Sequence, residues 1–369
     1  MMAKAAVMTG VKEPFEVREF PVTAPPTGYG KSELIASGIC GTDIHIHNGK
    51  IGIHTPTVIG HEFIGRLVEA DSQEAAKYGL AVGDIVIADI AVPCGECLLC
   101  KSGDDANCVN MGLTNGGSIE VAPYLYGGYA EVNYTPLTNL IKVPEQLDPV
   151  MTAIFACPGP TAIHACRLAE QAGVDFANIN VAVVQGLGPV GSFAVMYLKR
   201  KGVKKVYAIT ADNNTQREEL ALRLGADRVF NLLKDGADGV TKALQAENDG
   251  LGVDLCFEAS GSPKAVPLGM DILRNRGVYL IPGQYSNSGG IEIQPQLITF
   301  KALHLIGSSQ YSVCDVESYL AFLCENPDLH SVIAQLANKY TVEQINDAFA
   351  DARAAKNIKT LLVREENIG

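Results

Sequence analysis

Apolar positions follow two rhythms along this chain, and the change between them falls near residue 150. Before it, "ELIASGIC", "EFIGRLVEA" and "DIVIADIAV" are short apolar runs punctuated by Gly, Pro and Asp, the pattern of strands ended by turns. No helix-length periodic segment dominates residues 1 to about 155, which therefore read as β-rich. After it, "DPVMTAIFACPGPTAIHACRLAEQAGV" carries apolar residues at helical spacing. Strand and helix patterns then alternate: "NVAVVQG", "VGSFAVMYLKRKG", "KVYAIT", "TQREELALRLGA", "RVFNL", "VDLCFEAS" and "GVYLIPG". Alternation on this scale predicts a parallel sheet covered by helices on both faces. The tail, 307–369, offers one amphipathic helix, "VEQINDAFADARAA", and a terminal strand, "KTLLVRE".

Composition adds limits more than identity. A chain of 369 residues is long for one core, so two domains are expected. A formal net charge of −12 disfavours a nucleic-acid backbone or an anionic membrane as partner. The opening "MMAKAAVMTGVKEPFEV" has no long apolar run, and no segment approaches bilayer-spanning length. The expectation is a cytoplasmic protein without a membrane partner. There, ten cysteines argue against a disulfide framework.

Four of those cysteines change the picture. "CGECLLCKSGDDANC" places Cys94, Cys97, Cys100 and Cys108 as C-x2-C-x2-C-x7-C. Zinc takes four soft donors tetrahedrally, and short spacers let one loop wrap the ion. An iron–sulfur cluster is the competing reading of the same spacing. A site with four thiolates is closed, so it would hold a loop together and do no chemistry.

A second motif lies at the first glycine turn of the alternating region. "VAVVQGLGPVGSFAVMYL" sets Gly186, Leu187, Gly188, Pro189, Val190 and Gly191 between a strand and a helix as G-x-G-x-x-G. Gly186 permits the tight turn, Gly188 the approach of a pyrophosphate, and Gly191 the packing of helix on strand. The pyrophosphate would sit at the helix N-terminus.

Read beside these, "CGTDIHIHNGKIGIHTPTVIGHE" (40–62) supplies Cys40 and His61 as ligands for a catalytic zinc, with Cys157 of "FACPGPTAIHA" as the best third. Three protein ligands leave one position for water or a substrate oxygen. The motifs "CGTD", "GHE", the four-cysteine lobe, "CPGPT", "GLGPVG" and "FEASGS" follow one another in the order of a known family. Along nearly its whole length the chain resembles the zinc-containing medium-chain alcohol dehydrogenases.

That resemblance implies a GroES-like β-rich catalytic domain over 1–158 and a Rossmann NAD(P)-binding domain over 159–306. The segment 307–369 would return to complete the catalytic domain, with the active site in the cleft. It implies zinc, two per chain, and NAD(P) as cofactors, an alcohol or carbonyl as substrate, and a homodimer or homotetramer. Carried over by position, Cys40, His61 and Cys157 are ligands of the catalytic zinc, and Glu62 is the acid beside the metal that can approach it when water leaves. Asp43 orients the ligand histidine, Thr42 hydrogen-bonds the substrate oxygen, and His45 relays its proton. Gly283 joins the cofactor-binding positions, and Ile90, Gln284 and Tyr285 are wall positions for the substrate. The last two are polar enough to suggest a hydroxylated or otherwise polar substrate. His47 and His54 match no family role and read as loop or cleft-wall histidines; His164 reads as core or interface. Cys166, Cys256, Cys314 and Cys324 read as small buried hydrophobes.

Cofactor choice turns on the end of the second strand, where an acid usually accepts hydrogen bonds from the adenosine ribose. Thr210 occupies that place, with Asp212 two residues on and Arg217 beyond. The missing acid and a nearby cation suggest a mild preference for NADP, or use of both. Two other readings share the scaffold: a redox or zinc sensor without turnover, and a zinc-free quinone reductase. The set Cys40, Thr42, His61 and Cys157 disfavours both, since a sensor needs no proton path and a zinc-free enzyme no ligands.

Overall fold

The computed structural model describes residues 1–368. Two compact units form, Met1–Cys157 with Tyr311–Gly369, and Pro158–Gln310. The first is built on antiparallel strands. Tyr29–Gly38 is its central strand, paired with Glu62–Glu69 on one side and with Lys359–Val363 on the other. Strand Lys359–Val363 in turn pairs with Ala337–Tyr340, so the end of the chain is part of this sheet. Its core gathers Leu34, Phe63, Leu67, Val86, Tyr129, Tyr134, Ile345 and Leu362. A two-stranded ladder, Ala91–Val92 with Gly112–Leu113, closes the base of the cysteine-rich lobe.

The second unit is a six-stranded parallel sheet. In spatial order its strands are Arg228–Asn231, Lys205–Thr210, Val181–Gln185, Val253–Glu258, Leu273–Ile281 and His304–Gly307. Numbered by sequence this is 3-2-1-4-5-6, the dinucleotide-binding order, with its switch point between the first and fourth strands. Every residue of Val181–Gln185 and of Val253–Glu258 is buried, which requires cover on both faces. This is the GroES-like plus Rossmann architecture.

Several elements differ from the sequence reading. Gly41–His47 is a helix inside the β-rich part, because Asp43 caps it: its carboxylate accepts from the Cys40 N–H at 2.9 Å. The tail holds a second long helix, Val313–Glu325, started by a Ser312/Asp315 capping box. Glu317 and Ser318 sit on its exposed face and Asp315 is buried as part of the cap, so the apolar stripe is interrupted. Cys166 and Cys256 are buried as read, but Cys314 is exposed and Cys324 only half-buried on that helix. His47 is no loop residue. It is buried between Phe15 and Phe349, with one ring nitrogen on Glu13 O (2.8 Å) and the other on Arg353 (2.9 Å). His54 is exposed in an irregular segment, and His164 is buried on helix Pro158–Gln171. No helix among the described residues is long and apolar enough to cross a membrane.

Candidate active site and metal centres

Three segments of the first unit converge on one point. Cys40 caps helix Gly41–His47, His61 and Glu62 open strand Glu62–Glu69, and Cys157 lies beyond helix Pro149–Ala153. The ligand atoms of Cys40, His61, Glu62 and Cys157 all lie within 4.8 Å of one another. Cys40 and Cys157 sulfurs are 3.9 Å apart. The Cys40 thiol is pulled well below its ordinary value by the hydrogen bond from Cys157. That contact and burial push Cys157 up in return.

Asp43 organises this cluster. One carboxylate oxygen meets His61 Nδ1 at 3.2 Å; the other accepts from Cys40 N–H and from the Tyr129 hydroxyl at 2.8 Å. Burial pulls the His61 imidazolium down, but Asp43 and Cys40 together outweigh it and hold it well above its usual value. With Nδ1 engaged, Nε2 is the atom left for a metal. Glu62 is fully buried and ion-paired with the equally buried Lys359. Burial still pushes the Glu62 carboxyl up to about 7 against the pull of that ammonium.

Two glycines make room. At Gly38 a Cβ would fall 1.8 Å from Glu62 Oε2 and 2.6 Å from Lys359 Cε. At Gly60, with φ +96°, it would fall 2.4 Å from the Tyr129 ring. Thr42 and His45 are half-buried on helix Gly41–His47. Burial, then Lys50, lowers the His45 pKa below its ordinary value. A set of two thiols, an imidazole and a carboxylate, each oriented by other protein groups, suits zinc.

The second cluster is local. Cys94, Cys97, Cys100 and Cys108 bring their sulfurs within 4.8 Å of one another. Backbone N–H groups aim at them: Cys100 N to Cys97 Sγ at 3.5 Å, Cys94 N to Cys108 Sγ at 3.3 Å and Asn110 N to the same sulfur at 3.4 Å. Such donors, from Cys100 and Val109, bring the Cys97 thiol down to about 6.

In the second unit the glycine turn has the space its pattern asks for. Gly186 has φ +94° and packs on Ser260; Gly191 lies so close to Gly186 O that a Cβ would sit 1.9 Å from it. Gly188, at the N-cap of helix Pro189–Arg200, faces open space. Leu187 is buried, and Pro189 and Val190 form the first turn of that helix. Gly283 backs onto Glu258, whose carboxylate accepts from Ser260 and Gly261 N–H groups. Thr210 is buried at the end of its strand, whereas Asp212 is partly exposed and ion-paired with Arg217 at 3.7 Å. Gln284 donates to Ser262 O at 3.1 Å, and the Tyr285 hydroxyl accepts from Gln310 at 2.8 Å. Ile90 is buried in the first unit.

Sequence reasoning missed Tyr129, Tyr311 and Lys359 at the first cluster. The Tyr311 phenol, pushed up by burial and by Cys157, hydrogen-bonds that thiol. Lys359 carried a readable signal: a lysine opening the apolar run "KTLLV" needs a buried partner. Tyr129 and Tyr311 carried none, since a tyrosine in a β-rich region is ordinary core.

A thiol–imidazole cluster able to hold a metal ion in one unit and a dinucleotide-type sheet in the other are features of nucleotide-dependent oxidoreductases. Residues 33–145 match the alcohol dehydrogenase GroES-like domain, and 189–325 the zinc-binding dehydrogenase domain. The chain is 31% identical to an erythritol/L-threitol dehydrogenase of Mycolicibacterium smegmatis over 283 residues, 74% of each protein. It is also 31% identical to an L-threonine 3-dehydrogenase of Caldanaerobacter subterraneus over 276 residues, 74% of this chain and 73% of that one. An alcohol dehydrogenase crystal structure from Thermotoga maritima superposes with a TM-score of 0.89 at 26% identity, covering 98% of this chain and 99% of that one. The chain belongs to the zinc-binding, medium-chain alcohol dehydrogenase family. It is an oxidoreductase that moves hydride between an alcohol, or its carbonyl counterpart, and NAD(P), with zinc as the family's metal.

Proposed function

We propose that this chain is a zinc-dependent dehydrogenase in which Cys40, His61 and Cys157, with Glu62 beside them, hold the catalytic zinc. The observation that carries the reading is the convergence of these four ligand atoms from three segments within 4.8 Å. When bound there, zinc supplies Lewis acidity that lowers the pKa of an alcohol. Asp43 fixes the His61 ring through Nδ1, and Tyr129 fixes Asp43. Thr42 hydrogen-bonds the substrate oxygen and passes its proton toward His45, which its burial keeps neutral near pH 7. Lys359 holds the Glu62 carboxylate in the buried pair. Cys94, Cys97, Cys100 and Cys108 hold the second, closed zinc.

In the second unit, the turn Gly186–Gly191 and Gly283 receive the dinucleotide; Gln284 and Tyr285 there, and Ile90 in the first unit, are the family-derived substrate positions. With Thr210 buried and Asp212 paired to Arg217, both cofactors are accepted with a mild preference for NADP. The family resemblance supports a homodimer or homotetramer. Ten unbridged cysteines fit a cytoplasmic setting. Metal analysis tests the core of this reading: close to two zinc per chain are expected, and Cys157→Ala should retain one. Iron in the four-cysteine lobe, or full activity in that variant, would overturn it. Comparing kcat/KM with NAD and NADP on one alcohol tests the cofactor assignment; a hundredfold preference for NAD would shift the ribose contact to Asp212.

A further inference from the structure

Helix Gly41–His47 carries both residues of the proposed proton path. Neither is held by its own side chain: among the described residues, Thr42 Oγ1 and the His45 ring have no hydrogen-bond partner. Their placement comes from the helix that bears them, and so short a helix is not stable by itself. Its two ends are held from outside. At the first, Asp43 caps Cys40 and accepts from the Tyr129 hydroxyl. At the second stands His47, only 4% exposed.

His47 ties that end to two distant parts of the same unit. Arginine only donates, so Nδ1 accepts from Arg353 Nη2 at 2.9 Å, and Nε2 carries the hydrogen given to Glu13 O at 2.8 Å. The ring stacks on Phe15 with centroids 5.3 Å apart and lies 5.0 Å from Phe349. Its backbone oxygen accepts from Lys12 N–H at 2.8 Å. These walls are themselves fixed, because the Asn346 amide bonds both Phe15 N–H at 2.9 Å and Phe15 O at 3.0 Å. Asn346, Phe349 and Arg353 share helix Ile345–Arg353. Phe15 also meets the Tyr129 ring edge-on at 6.1 Å, so the supports of the two helix ends touch.

Resting on the proton path proposed above, we propose that His47 is a positioning residue for turnover. It locks the C-terminal end of helix Gly41–His47 and so aims Thr42 at the substrate oxygen. An apolar ring would fill the same space between Phe15 and Phe349, but stacking alone tolerates sliding. Two directional hydrogen bonds to different elements fix the depth and rotation of the ring as well. Such precision matters because a misplacement of about 1 Å can cost on the order of a hundredfold in rate.

The test is a double-mutant cycle on kcat in the zinc-loaded full-length enzyme. His47→Phe keeps the ring and removes both side-chain hydrogen bonds. It should lower kcat about ten- to hundredfold while moving KM for alcohol and cofactor by no more than about threefold. Zinc content should stay as in wild type. His47→Gln, which can both donate and accept, should recover most of the loss. Arg353→Leu breaks one of the two bonds and should move kcat the same way by less. In the His47→Phe background, Thr42→Ala should cost about tenfold less than in wild type, since Thr42 is already misplaced there. Amide hydrogen exchange over residues 44–50 should quicken in His47→Phe and recover in His47→Gln, with residues 94–108 unchanged. Should His47→Phe not fold, the cycle runs on Arg353→Leu with Thr42→Ala. A kcat within about twofold of wild type in both His47→Phe and Arg353→Leu overturns the assignment. So do additive losses at His47 and Thr42, the result of a general loosening of the unit. In either case a large loss from Thr42→Ala alone leaves the proton path standing. No loss from Thr42→Ala in wild type would bring down both.

Discussion

The first unit carries two sulfur-rich clusters of similar tightness but opposite construction. In the lobe, four thiols come from one stretch of fifteen residues, three of them half-buried, and backbone N–H groups are their main hydrogen-bond partners. The other cluster draws Cys40, His61, Glu62 and Cys157 from distant segments, and charged and polar side chains surround it: Asp43, Lys359 and the phenol of Tyr129. Backbone donors can stabilise thiolates around a closed ion. A buried acid, imidazole and ammonium can tune a reactive position, because each biases charge where the dielectric is low. The contrast supports the proposal that one cluster serves folding and the other chemistry.

The largest effect should separate them at once. Cys157→Ala removes a ligand from the mixed cluster and is expected to cut kcat/KM by about a thousandfold or more, since Lewis acidity is worth several kcal/mol. Its metal content should fall to one zinc per chain, with circular dichroism unchanged. Retained activity at one zinc would invert the assignment of the two sites.

Next comes the proposed proton path, which belongs to the mixed cluster alone. Thr42→Ala is expected to lose about 10²–10⁴-fold in kcat, the range for general acid–base groups. His45→Gln should lose less, because water can reach a half-buried relay. The sign of the pH effect follows from the direction of its shift. Burial lowers the His45 pKa, so the base form persists below the ordinary histidine value of about 6.5, and the rate should fall only as pH drops beneath that value. In His45→Gln that acid limb should disappear. A limb above pH 6.5, or greater damage from His45 than from Thr42, would break the proposed order.

These two clusters were not equally legible in the sequence. Four cysteines in fifteen residues announce themselves, because a local site is written in local spacing. Cys157 was singled out as the best third ligand beside Cys40 and His61 and then matched by the resemblance, for nothing in spacing joins residues 117 positions apart. The parallel sheet was legible for the same local reason: each strand and helix has its own period, and "GLGPVG" marks the turn. His47 was misread because its partners, Phe15, Phe349 and Arg353, lie far away in sequence. Helix Val313–Glu325 was missed because its apolar stripe is interrupted by Asp315, Glu317 and Ser318. Lys359 shows the limit most clearly, for its role exists only where the last strand meets Gly38 and Glu62.

A smaller effect tests whether orientation matters as much as ligation. Asp43→Asn keeps the shape and the cap on Cys40 but weakens the charge on His61 Nδ1. Zinc affinity of the mixed cluster should drop about ten- to hundredfold, the usual cost of losing a carboxylate behind a metal-bound histidine. Chelator competition would read this directly, and the lobe serves as an internal control because Asp43 does not touch it. Equal loss from both sites would mean that the variant had loosened the whole unit.

The smallest effect on turnover should come from the lobe itself. Cys100→Ser leaves three thiols and the short ladder at its base, so the ion is lost or weakened while the mixed cluster stays intact. Zinc should fall toward one per chain, as in Cys157→Ala, but kcat at low temperature should change by no more than a few-fold. The cost should appear as lower thermal stability and faster proteolysis between residues 94 and 108, because binding energy at a closed site is folding energy. The two variants thus share a metal count and differ in everything else. If Cys100→Ser abolished turnover while the chain stayed folded, the lobe would have to act on the reacting site, and a division of labour between a local cluster and an assembled one would no longer hold.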